Sequence, residues 1–238
     1  MDNLTIDDQV IIKLEKILGL EFKEKDKLIQ ALIHRSYLNE NKNLNISSNE
    51  RYEFLGDAVL ELWISDRLFR QFPDMKEGDL TNLRALIVRT ENLASIASDL
   101  DIGDFILLSR GEETHGGRQN LSILADTTES IIGAVYLDQG YGQVAELLER
   151  IFNDSIKELS SQRIYKDPKS VFQELAQARR GITPHYETIE ESGPDHNKTF
   201  KIAVYLEDEL IATGEGHSKQ KAEEDASIKA TKKLRVTV

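Results

Sequence analysis

Residues 49–60 read NERYEFLGDAVL and combine acidic with apolar residues at helical spacing. Glu50, Glu53 and Asp57 occupy positions i, i+3 and i+7, so a helix presents their carboxylates on one face. Phe54 and the other apolar residues of the stretch supply packing surface beside those acids. Like charges at neighbouring helical positions repel by about 0.2–0.5 kcal/mol per pair. The stretch therefore predicts a helix whose carboxylates need a partner that compensates their charge.

A second acidic pair opens an apolar run in residues 124–138, which read LADTTESIIGAVYLD. Asp126 and Glu129 stand at i and i+3, at the edge of a segment that must be buried. Two helices of one bundle that both carry acids at the edge of a buried stripe can bring four carboxylates together. Such a cluster is stable only if some members ionise poorly or a divalent cation lies among them.

The types of side chain in these two segments indicate which cation would suit them. Carboxylates in a chain that contains no cysteine favour a hard ion, Mg²⁺ or Mn²⁺, over zinc. Such ions lower the pKa of an attacking water and stabilise a leaving oxygen. The predicted chemistry is metal-assisted hydrolysis of a phosphodiester.

Two other interpretations fit acids at this spacing. The acids could form a solvated face that pairs with arginines of the same domain, namely Arg51, Arg84 or Arg89. A di-iron centre usually needs an inward Glu-x-x-His pair from each of two helices. One such pair, Glu112 and His115, occurs in residues 109–118, which read SRGEETHGGR and are predicted as a loop. No second copy occurs, which argues against iron but leaves the solvated face open.

Helical periodicity extends on both sides of the two acidic segments and indicates an all-α block. The predicted helices span 9–18, 26–38, 51–71, 79–100, 121–137 and about 142–160. The polar stretch SSQRIYKDP, residues 160–168, has no apolar periodicity and ends in an Asp-Pro pair suited to a helix start. We therefore predict a domain boundary in this stretch.

Beyond that boundary the residue pattern predicts the order α-β-β-β-α. The first helix carries apolar residues at helical spacing: Val171, Phe172, Leu175 and Ala178. Three runs typical of strands follow, HYETIEES, TFKIAVYL and LIATGEG, and a last helix starts at Ser218. The chain thus combines an all-α domain with a small α+β domain.

The formal net charge of −12 argues at first sight against a nucleic-acid partner. Residues 1–166, however, hold 19 basic and 29 acidic residues, a net charge of −10, whereas residues 167–238 hold 11 and 13, a net charge of −2. The acidity therefore belongs to the helical domain. Within residues 217–235, basic residues outnumber acidic ones by three. A phosphate-binding surface is still possible there.

Other classes of protein are excluded by what the sequence lacks. Without cysteine there are no disulfides, thiolate metal ligands or thiol nucleophiles. The N-terminal MDNLTIDDQ is acidic, and no stretch approaches 18 apolar residues, so we expect a soluble, cytoplasmic protein without a membrane partner. No Walker-type glycine loop occurs, and Gly214-Glu215-Gly216 lacks the third glycine of a dinucleotide site, so no nucleotide cofactor is expected.

The stretch NERYEFLGDAVL resembles the signature of the ribonuclease III family, which usually has Leu in place of Tyr52. ALIHRSY at 31–37, EGDLTNLRA at 77–85 and LADTTESIIGAVYLD resemble further family blocks, in the family's order and at its spacing. The resemblance covers essentially the whole chain. It implies an all-α endonuclease domain over 1–160, a linker over 161–166 and a double-stranded RNA-binding domain over 167–236.

The resemblance also implies roles for individual acids. Glu53, Asp126 and Glu129 match metal ligands, with Mg²⁺ as the cofactor and Mn²⁺ as a substitute. Asp57 and Glu129 match the acids that the family treats as catalytic. None of these four acids is replaced. Glu50 and Glu77 match acidic family positions with a supporting or intersubunit role, and each is equally well read as an ordinary surface acid.

Two further residues of the helical domain have alternative interpretations. Phe54 resembles the residue that enters a socket on the partner subunit of a homodimer, although a core phenylalanine is an equally ordinary interpretation. His34 is interpreted as a packing residue of the HRSY segment. The implied homodimer would place two acidic sites across one valley, each of which cuts one strand.

In the C-terminal domain the resemblance implies three contacts with RNA. Lys219 and Lys221 would meet phosphates at the start of the last helix, where free backbone N–H groups and the positive dipole end add to their charge. Gln173 on the first helix would reach 2′-hydroxyls, and His196 in the loop after the first strand would enter the next minor groove. The alternatives are an exposed helix residue, a turn histidine and a solvated basic face. Gln220 stands where the family usually has a basic residue.

The function implied is Mg²⁺-dependent cutting of double-stranded RNA that leaves 5′-phosphate and 3′-hydroxyl ends, in the processing of ribosomal and other RNA precursors. The alternative from another class is a non-cleaving RNA-binding regulator that keeps the helical domain only for dimerisation. Such a regulator could dispense with Asp57 and Glu129, and both are present.

Overall fold

The computed structural model describes residues 7–162, 167–194 and 198–236. The chain divides into two units, residues 1–163 and residues 164–238, and each has its own core. Residues 163–166 of the predicted linker lie outside the described residues. No described helix is both long enough and apolar enough to cross a membrane.

The described part of the first unit is built from helices. Two 3₁₀ turns, Ile102–Phe105 and Gly117–Gln119, and one parallel bridge between Ile33 and Leu107 connect them. The α-helices are α1 (Asp8–Leu18), α2 (Lys25–Ala31), α3 (Arg35–Glu40), α4 (Glu50–Gln71), α5 (Glu77–Val88), α6 (Thr90–Asp99), α7 (Arg110–Thr114), α8 (Leu121–Gln139) and α9 (Tyr141–Gln162).

Helix α8 lies at the centre of this unit because its sequence is apolar on nearly every side. Ile132, Ala134 and Val135 are completely buried, and α8 packs against α4, α6, α2 and α9. Buried residues of α4, including Leu60 and Ile64, face the same core. The acidic ends of the two buried stripes therefore belong to two helices in direct contact.

Two predicted helices are each divided in the structure. The helix predicted over 26–38 ends at Ala31, and the chain is extended at His34, because Ile33 pairs with Leu107 and the His34 ring accepts a hydrogen bond from the Ser36 N–H that starts α3. The helix predicted over 79–100 breaks at Arg89, whose ψ is 149°. Apolar periodicity continues through both breaks, so periodicity alone does not locate them.

The prediction of a loop at residues 109–118 is partly wrong. Arg110–Thr114 form the short helix α7, whose N-terminus is capped by Ser109: its Oγ accepts a hydrogen bond from the Glu112 N–H at 3.1 Å. The Arg118 guanidinium donates to the carbonyls of Gly103 and Ile106, which fixes the segment against the preceding turn.

The second unit has the predicted α-β-β-β-α order. Its elements are α10 (Pro168–Arg180), β1 (His185–Ser192), β2 (Thr199–Leu206), β3 (Glu209–Gly216) and α11 (Lys219–Val236), and the three strands form an antiparallel sheet in the order β1-β2-β3. Asp167 caps α10, and Pro168 occupies its first turn, as the Asp-Pro pair predicts. Phe172 and Ala176 of α10 pack with Val204, Ile211 and Ala226 in the core. The predicted fold class is confirmed.

Candidate active site

Two glycines set the distance between α4 and α8. A Cβ atom on Gly56 would lie 1.8 Å from the backbone oxygen of Glu129, and one on Gly133 would lie 2.2 Å from the backbone oxygen of Tyr52. Any side chain at either position would push the helices apart. A glycine inside a helix destabilises it by roughly 0.5–1 kcal/mol relative to alanine. Here the absence of the two side chains lets the backbones of α4 and α8 touch.

This close crossing brings the predicted acids together. Ligand oxygens of Glu53, Asp126 and Glu129 all lie within 4.8 Å of one another, and each residue is only half-buried. Asp57 lies one helical turn beyond Glu53 on α4, and its charge acts on both Glu53 and Glu129. Three convergent carboxylates that remain accessible to solvent form a donor set that fits a hard divalent cation.

The electrostatics of the cluster follow from burial and mutual repulsion. Burial, reinforced by the charges of Asp57, Asp126 and Glu53, raises the pKa of Glu129 from 4.5 to about 8. The pKa of Glu53 is also raised, by burial first and then by Asp126. Burial and the neighbouring Glu61 raise the pKa of Asp57, and burial raises that of Asp126. All four groups are thus held where ionisation is unfavourable.

The arginine partners of the solvated-face interpretation do not compensate this charge. Among the described residues, no lysine or arginine nitrogen lies within 4.0 Å of a carboxylate oxygen of the four acids. Arg84 donates to the Ser65 hydroxyl at 2.8 Å, and Arg89 lies 4.0 Å from Glu91. The cluster therefore carries charge that a cation could neutralise.

A cleft of about 650 Å³ adjoins the cluster and is lined by Glu53 and Asp126, by two further acids, Glu50 and Glu112, and by Arg35 and neutral polar side chains. At the start of α3, His34 and Arg35 partly oppose the effect of burial on Asp126, whose pKa is still raised. Burial holds the pKa of His34 below its usual value. Asn120 closes the far side, where its side chain caps α8 by accepting from the N–H groups of Ser122 and Ile123.

The structure places the remaining predicted residues of this unit on the surface. Glu50 lines the cleft, and its carboxylate accepts from the Ser48 hydroxyl at 2.9 Å. Glu77 opens α5 and accepts from the Thr81 hydroxyl, in the first turn where the helix dipole favours an acid. Phe54 is 80% exposed, so its interpretation as a core residue of this chain is wrong.

The start of α11 has a geometry that suits phosphate. Ser218 caps the helix, and its Oγ accepts from the Lys221 N–H at 3.2 Å. A Cβ on Gly214 would lie 2.2 Å from the backbone nitrogen of Ala226, so this glycine lets β3 run directly beneath α11. Lys219 and Lys221 project from this first turn and are exposed.

Of the other two predicted RNA contacts, the structure describes only one. Gln173 is exposed on α10, beside the face that buries Phe172 and Ala176. His196 lies outside the described residues. The Gln220 side chain donates to Glu224 at 3.1 Å, so it makes a local contact where a basic residue would add charge.

Comparisons with known proteins agree with these two units. A family model described as ribonuclease-III-like matches residues 24–155, and one described as a double-stranded RNA binding motif matches residues 168–234. A ribonuclease 3 from Natranaerobius thermophilus is 45% identical over 224 residues, which cover 94% of this chain and 96% of that one. The chain belongs to the ribonuclease III family. The predictions of this family and of an endoribonuclease are confirmed.

Further relatives of this ribonuclease III family member support the same assignment. A ribonuclease 3 from Carboxydothermus hydrogenoformans is 43% identical over 230 residues, 97% of this chain and 98% of that one. A solved nuclease domain of ribonuclease III from Campylobacter jejuni is 44% identical, with a TM-score of 0.57, and covers 60% of this chain and 96% of that one. That structure is described as flexible in a region involved in dimer formation.

Several residues that shape this ribonuclease III site were not predicted as functional. Gly56 and Gly133 decide whether the acids can meet, and the signal for both is a glycine in the interior of a strongly periodic helix. Arg35 and Asn120 line the cleft and carry no sequence signal beyond their types. The cleft forms only when α3 and the start of α8 come together in space.

Proposed function

We propose that the chain hydrolyses double-stranded RNA with Mg²⁺ as cofactor, or Mn²⁺ in its place, and leaves 5′-phosphate and 3′-hydroxyl ends. The observation that carries the proposal is the convergence of Glu53, Asp126 and Glu129 within 4.8 Å. Among the described residues, no lysine or arginine nitrogen lies within 4.0 Å of their carboxylate oxygens. Membership of the ribonuclease III family supports the same chemistry.

In this proposal Glu53, Asp126 and Glu129 hold the metal, and Asp57 and Glu129 are the catalytic residues. When bound, the divalent ion supplies charge that lowers the pKa of the attacking water and stabilises the leaving oxygen. Glu129 would hold a proton at neutral pH without metal, because its pKa is raised to about 8, and it would release that proton when the ion binds. No side chain serves as a covalent nucleophile.

Capture of the substrate is assigned to the second unit. Lys219 and Lys221 would contact phosphates, and Gln173 and His196 would contact two minor grooves, so that the A-form shape and 2′-hydroxyls are recognised more than the sequence. The proposed domain bounds are 1–160 for the catalytic domain, 161–166 for the linker and 167–236 for the RNA-binding domain. The match of residues 168–234 to the RNA-binding motif supports this assignment.

A homodimer is part of the proposal. Phe54 exposes 80% of its surface beside the carboxylates of α4, and Leu62 and Phe69 of the same helix expose 60% and 72%. Large apolar side chains on one helix are costly to leave in water, and a second copy of the chain could cover them. The Campylobacter jejuni nuclease domain is described as having a region involved in dimer formation, which fits this assignment. Processing of ribosomal and other precursors in the cytoplasm is proposed on the family resemblance alone.

The test incubates end-labelled duplex RNA with the full chain, with and without Mg²⁺, and follows both binding and cutting. We expect binding in both conditions and cutting only with Mg²⁺, with products that ligate through a 5′-phosphate. Binding without Mg²⁺-dependent cutting would contradict the enzyme assignment and favour the non-cleaving regulator. A single-stranded RNA of the same sequence is the control for duplex specificity.

A further inference from the structure

The two lysines that open α11 both lie beside acids, but the acids come from different elements. Lys221 Nζ is 2.7 Å from Glu224 Oε2, three residues along the same helix. Lys219 Nζ is 2.9 Å from Glu191 Oε1, which belongs to β1 at the far edge of the sheet. The Lys219–Glu191 ion pair is therefore made by the tertiary fold.

The register of the sheet explains why these two charges meet. Glu191 pairs with Phe200 across β1 and β2, and Phe200 pairs with Gly216 across β2 and β3. A Cβ on Gly216 would lie 2.7 Å from the backbone nitrogen of Ala222, so the missing side chain lets α11 start directly against this end of the sheet. Lys219 Nζ then lies 5.7 Å from the centre of the Phe200 ring as well. The ammonium group is held between a carboxylate and an aromatic face.

We propose that Glu191 is a specificity-determining residue that competes with RNA phosphates for Lys219. The proposal rests on the phosphate contact of Lys219 that is part of the proposed function. While the ion pair is closed, its net charge is zero and Lys219 attracts a polyanion only weakly. When RNA docks, the phosphate replaces the carboxylate, and Glu191 remains nearby as a repulsive charge.

The exposure of the pair makes this exchange feasible. The Lys219 and Glu191 side chains keep 58% and 43% of their surface exposed, so water and a phosphate can both reach the ammonium group. Exposed ion pairs contribute little to stability, so a charge-assisted contact to phosphate can replace this one.

The competition favours ligands that engage several contacts at once. A duplex that also meets Lys221 and Gln173 gains enough from those contacts to open the pair. A single-stranded polyanion that meets Lys219 alone gains little, so the built-in repulsion discriminates against it.

The experiment compares Glu191→Gln with Glu190→Gln in the full chain, in a chelator so that no cutting occurs. Glu190 is the exposed neighbour in the same strand, and it has no ion pair within the described residues, so both variants lose one negative charge. The probe is a labelled RNA duplex of about 16 base pairs, roughly the span of one such domain. Binding is measured between about 50 and 200 mM salt.

We expect Glu191→Gln to tighten duplex binding by about threefold to tenfold at the lowest salt. The slope of the logarithm of the binding constant against the logarithm of the salt concentration should become steeper by up to about 0.9, the value of one phosphate contact. Binding of single-stranded RNA should tighten by a larger factor. Glu190→Gln should change duplex binding by less than about twofold, as expected of a screened charge outside the contact. Glu191→Ala should behave as Glu191→Gln does, and a thermal unfolding scan checks that each variant is folded.

Lys219→Ala separates the two levels of the proposal. On that background Glu191→Gln should change duplex binding by less than about twofold, as a screened charge does, because the ion pair with Lys219 is already gone. If Lys219→Ala weakens binding but Glu191→Gln equals Glu190→Gln or weakens binding too, the competition is refuted while the phosphate contact stands. If Lys219→Ala changes neither the affinity nor the salt dependence, the proposed RNA contact itself fails.

Discussion

The carboxylate cluster between α4 and α8 and the lysines at the start of α11 both carry charge for work on a polyanion, but they differ in how that charge is compensated. Within the described residues, the four acids have no lysine or arginine within ion-pair distance, and their pKa values are all raised. Lys219 and Lys221 each have an acidic partner within 3 Å.

The difference separates two kinds of binding. An uncompensated cluster destabilises its own domain until a cation arrives, so it favours binding of an ion that is small and highly charged. A compensated surface is stable by itself, and it binds by exchanging one partner for another. The carboxylate cluster is suited to a metal ion that stays bound, and the start of α11 is suited to a ligand that binds reversibly.

The largest expected effect comes from removing one charge of the uncompensated cluster. Glu129→Gln should reduce Mg²⁺-dependent cutting of duplex RNA by roughly 10³-fold or more, in the range seen when a catalytic side chain is lost. Binding of the same RNA in a chelator should stay unchanged, because capture is assigned to the other unit. Single-turnover cutting and filter binding measure the two separately.

Glu146→Gln is the matched control for that experiment, since Glu146 is an exposed acid of α9 outside the cluster. It removes the same charge and should cut at the parental rate. Cutting by Glu129→Gln at a rate close to that of this control would contradict the assigned site.

The second prediction perturbs the distance between the acids without changing any charge. Gly56→Ala places a methyl group where the Glu129 backbone oxygen lies, so α4 and α8 must separate. Overpacking of this kind costs typically about 1–3 kcal/mol in the free energy of unfolding, and the separated acids should bind Mn²⁺ more weakly. Denaturant unfolding and titration calorimetry measure the two effects.

Gly78→Ala provides the control because nothing lies within 4 Å of the position of its Cβ. It should stabilise the protein by up to about 1 kcal/mol, since alanine is the better helix former. Equal effects of the two substitutions would show that the close crossing does not hold the cluster together.

The third prediction tests the compensated region. Lys219→Ala combined with Lys221→Ala should weaken duplex binding about tenfold near 100 mM salt. The slope of the logarithm of the binding constant against the logarithm of the salt concentration should become shallower by about one to two. Two phosphate contacts are lost, and the contribution of one of them is already reduced by the ion pair of Lys219 with Glu191. Lys157→Ala, an exposed lysine of α9, is the control and should leave the dependence as it is. An unchanged salt dependence in the double variant would remove the phosphate role from α11.

The smallest expected effect is a pH dependence of stability without metal. Between its usual pKa of 4.5 and its folded value of about 8, Glu129 binds a proton in the folded chain and is ionised in the unfolded chain. The folded state therefore binds more protons in this window, and the free energy of unfolding falls as pH rises from about 4.5 to 8. Thermal unfolding in a chelator at several pH values measures this loss.

Mg²⁺ should reverse the pH effect because ions bind the deprotonated cluster. Glu129→Gln should flatten the dependence, since the group that titrates is gone. A stability of the parental protein that rises across this window would show that the cluster is compensated by groups other than a cation.

Much of this arrangement could be predicted from the sequence because it depends on local spacing. The i, i+3 and i+7 positions of Glu50, Glu53 and Asp57 fix one helical face, and the alternating runs fix the three strands. Periodicity does not reveal where a helix breaks, so it does not predict the breaks at His34 and Arg89. The first break depends on the pairing of Ile33 with Leu107, 74 positions away in sequence.

The features that could not be predicted all depend on contacts between distant parts of the chain. Whether the acids of α4 and α8 converge depends on Gly56 and Gly133, whose importance becomes visible only where the two helices cross. The partner of Lys219 is an acid of β1, and only the sheet register brings Glu191 to it. A count of charges along the sequence cannot distinguish a compensated lysine from a free one.

The central claim is that the acids between α4 and α8 are uncompensated because they hold a divalent cation. The most direct measurement is an anomalous difference map from crystals of the full chain grown with Mn²⁺. The claim predicts a peak between Glu53, Asp126 and Glu129, within about 2.0–2.4 Å of their carboxylate oxygens. A cluster without a peak, at a Mn²⁺ concentration that supports cutting of duplex RNA, would contradict it.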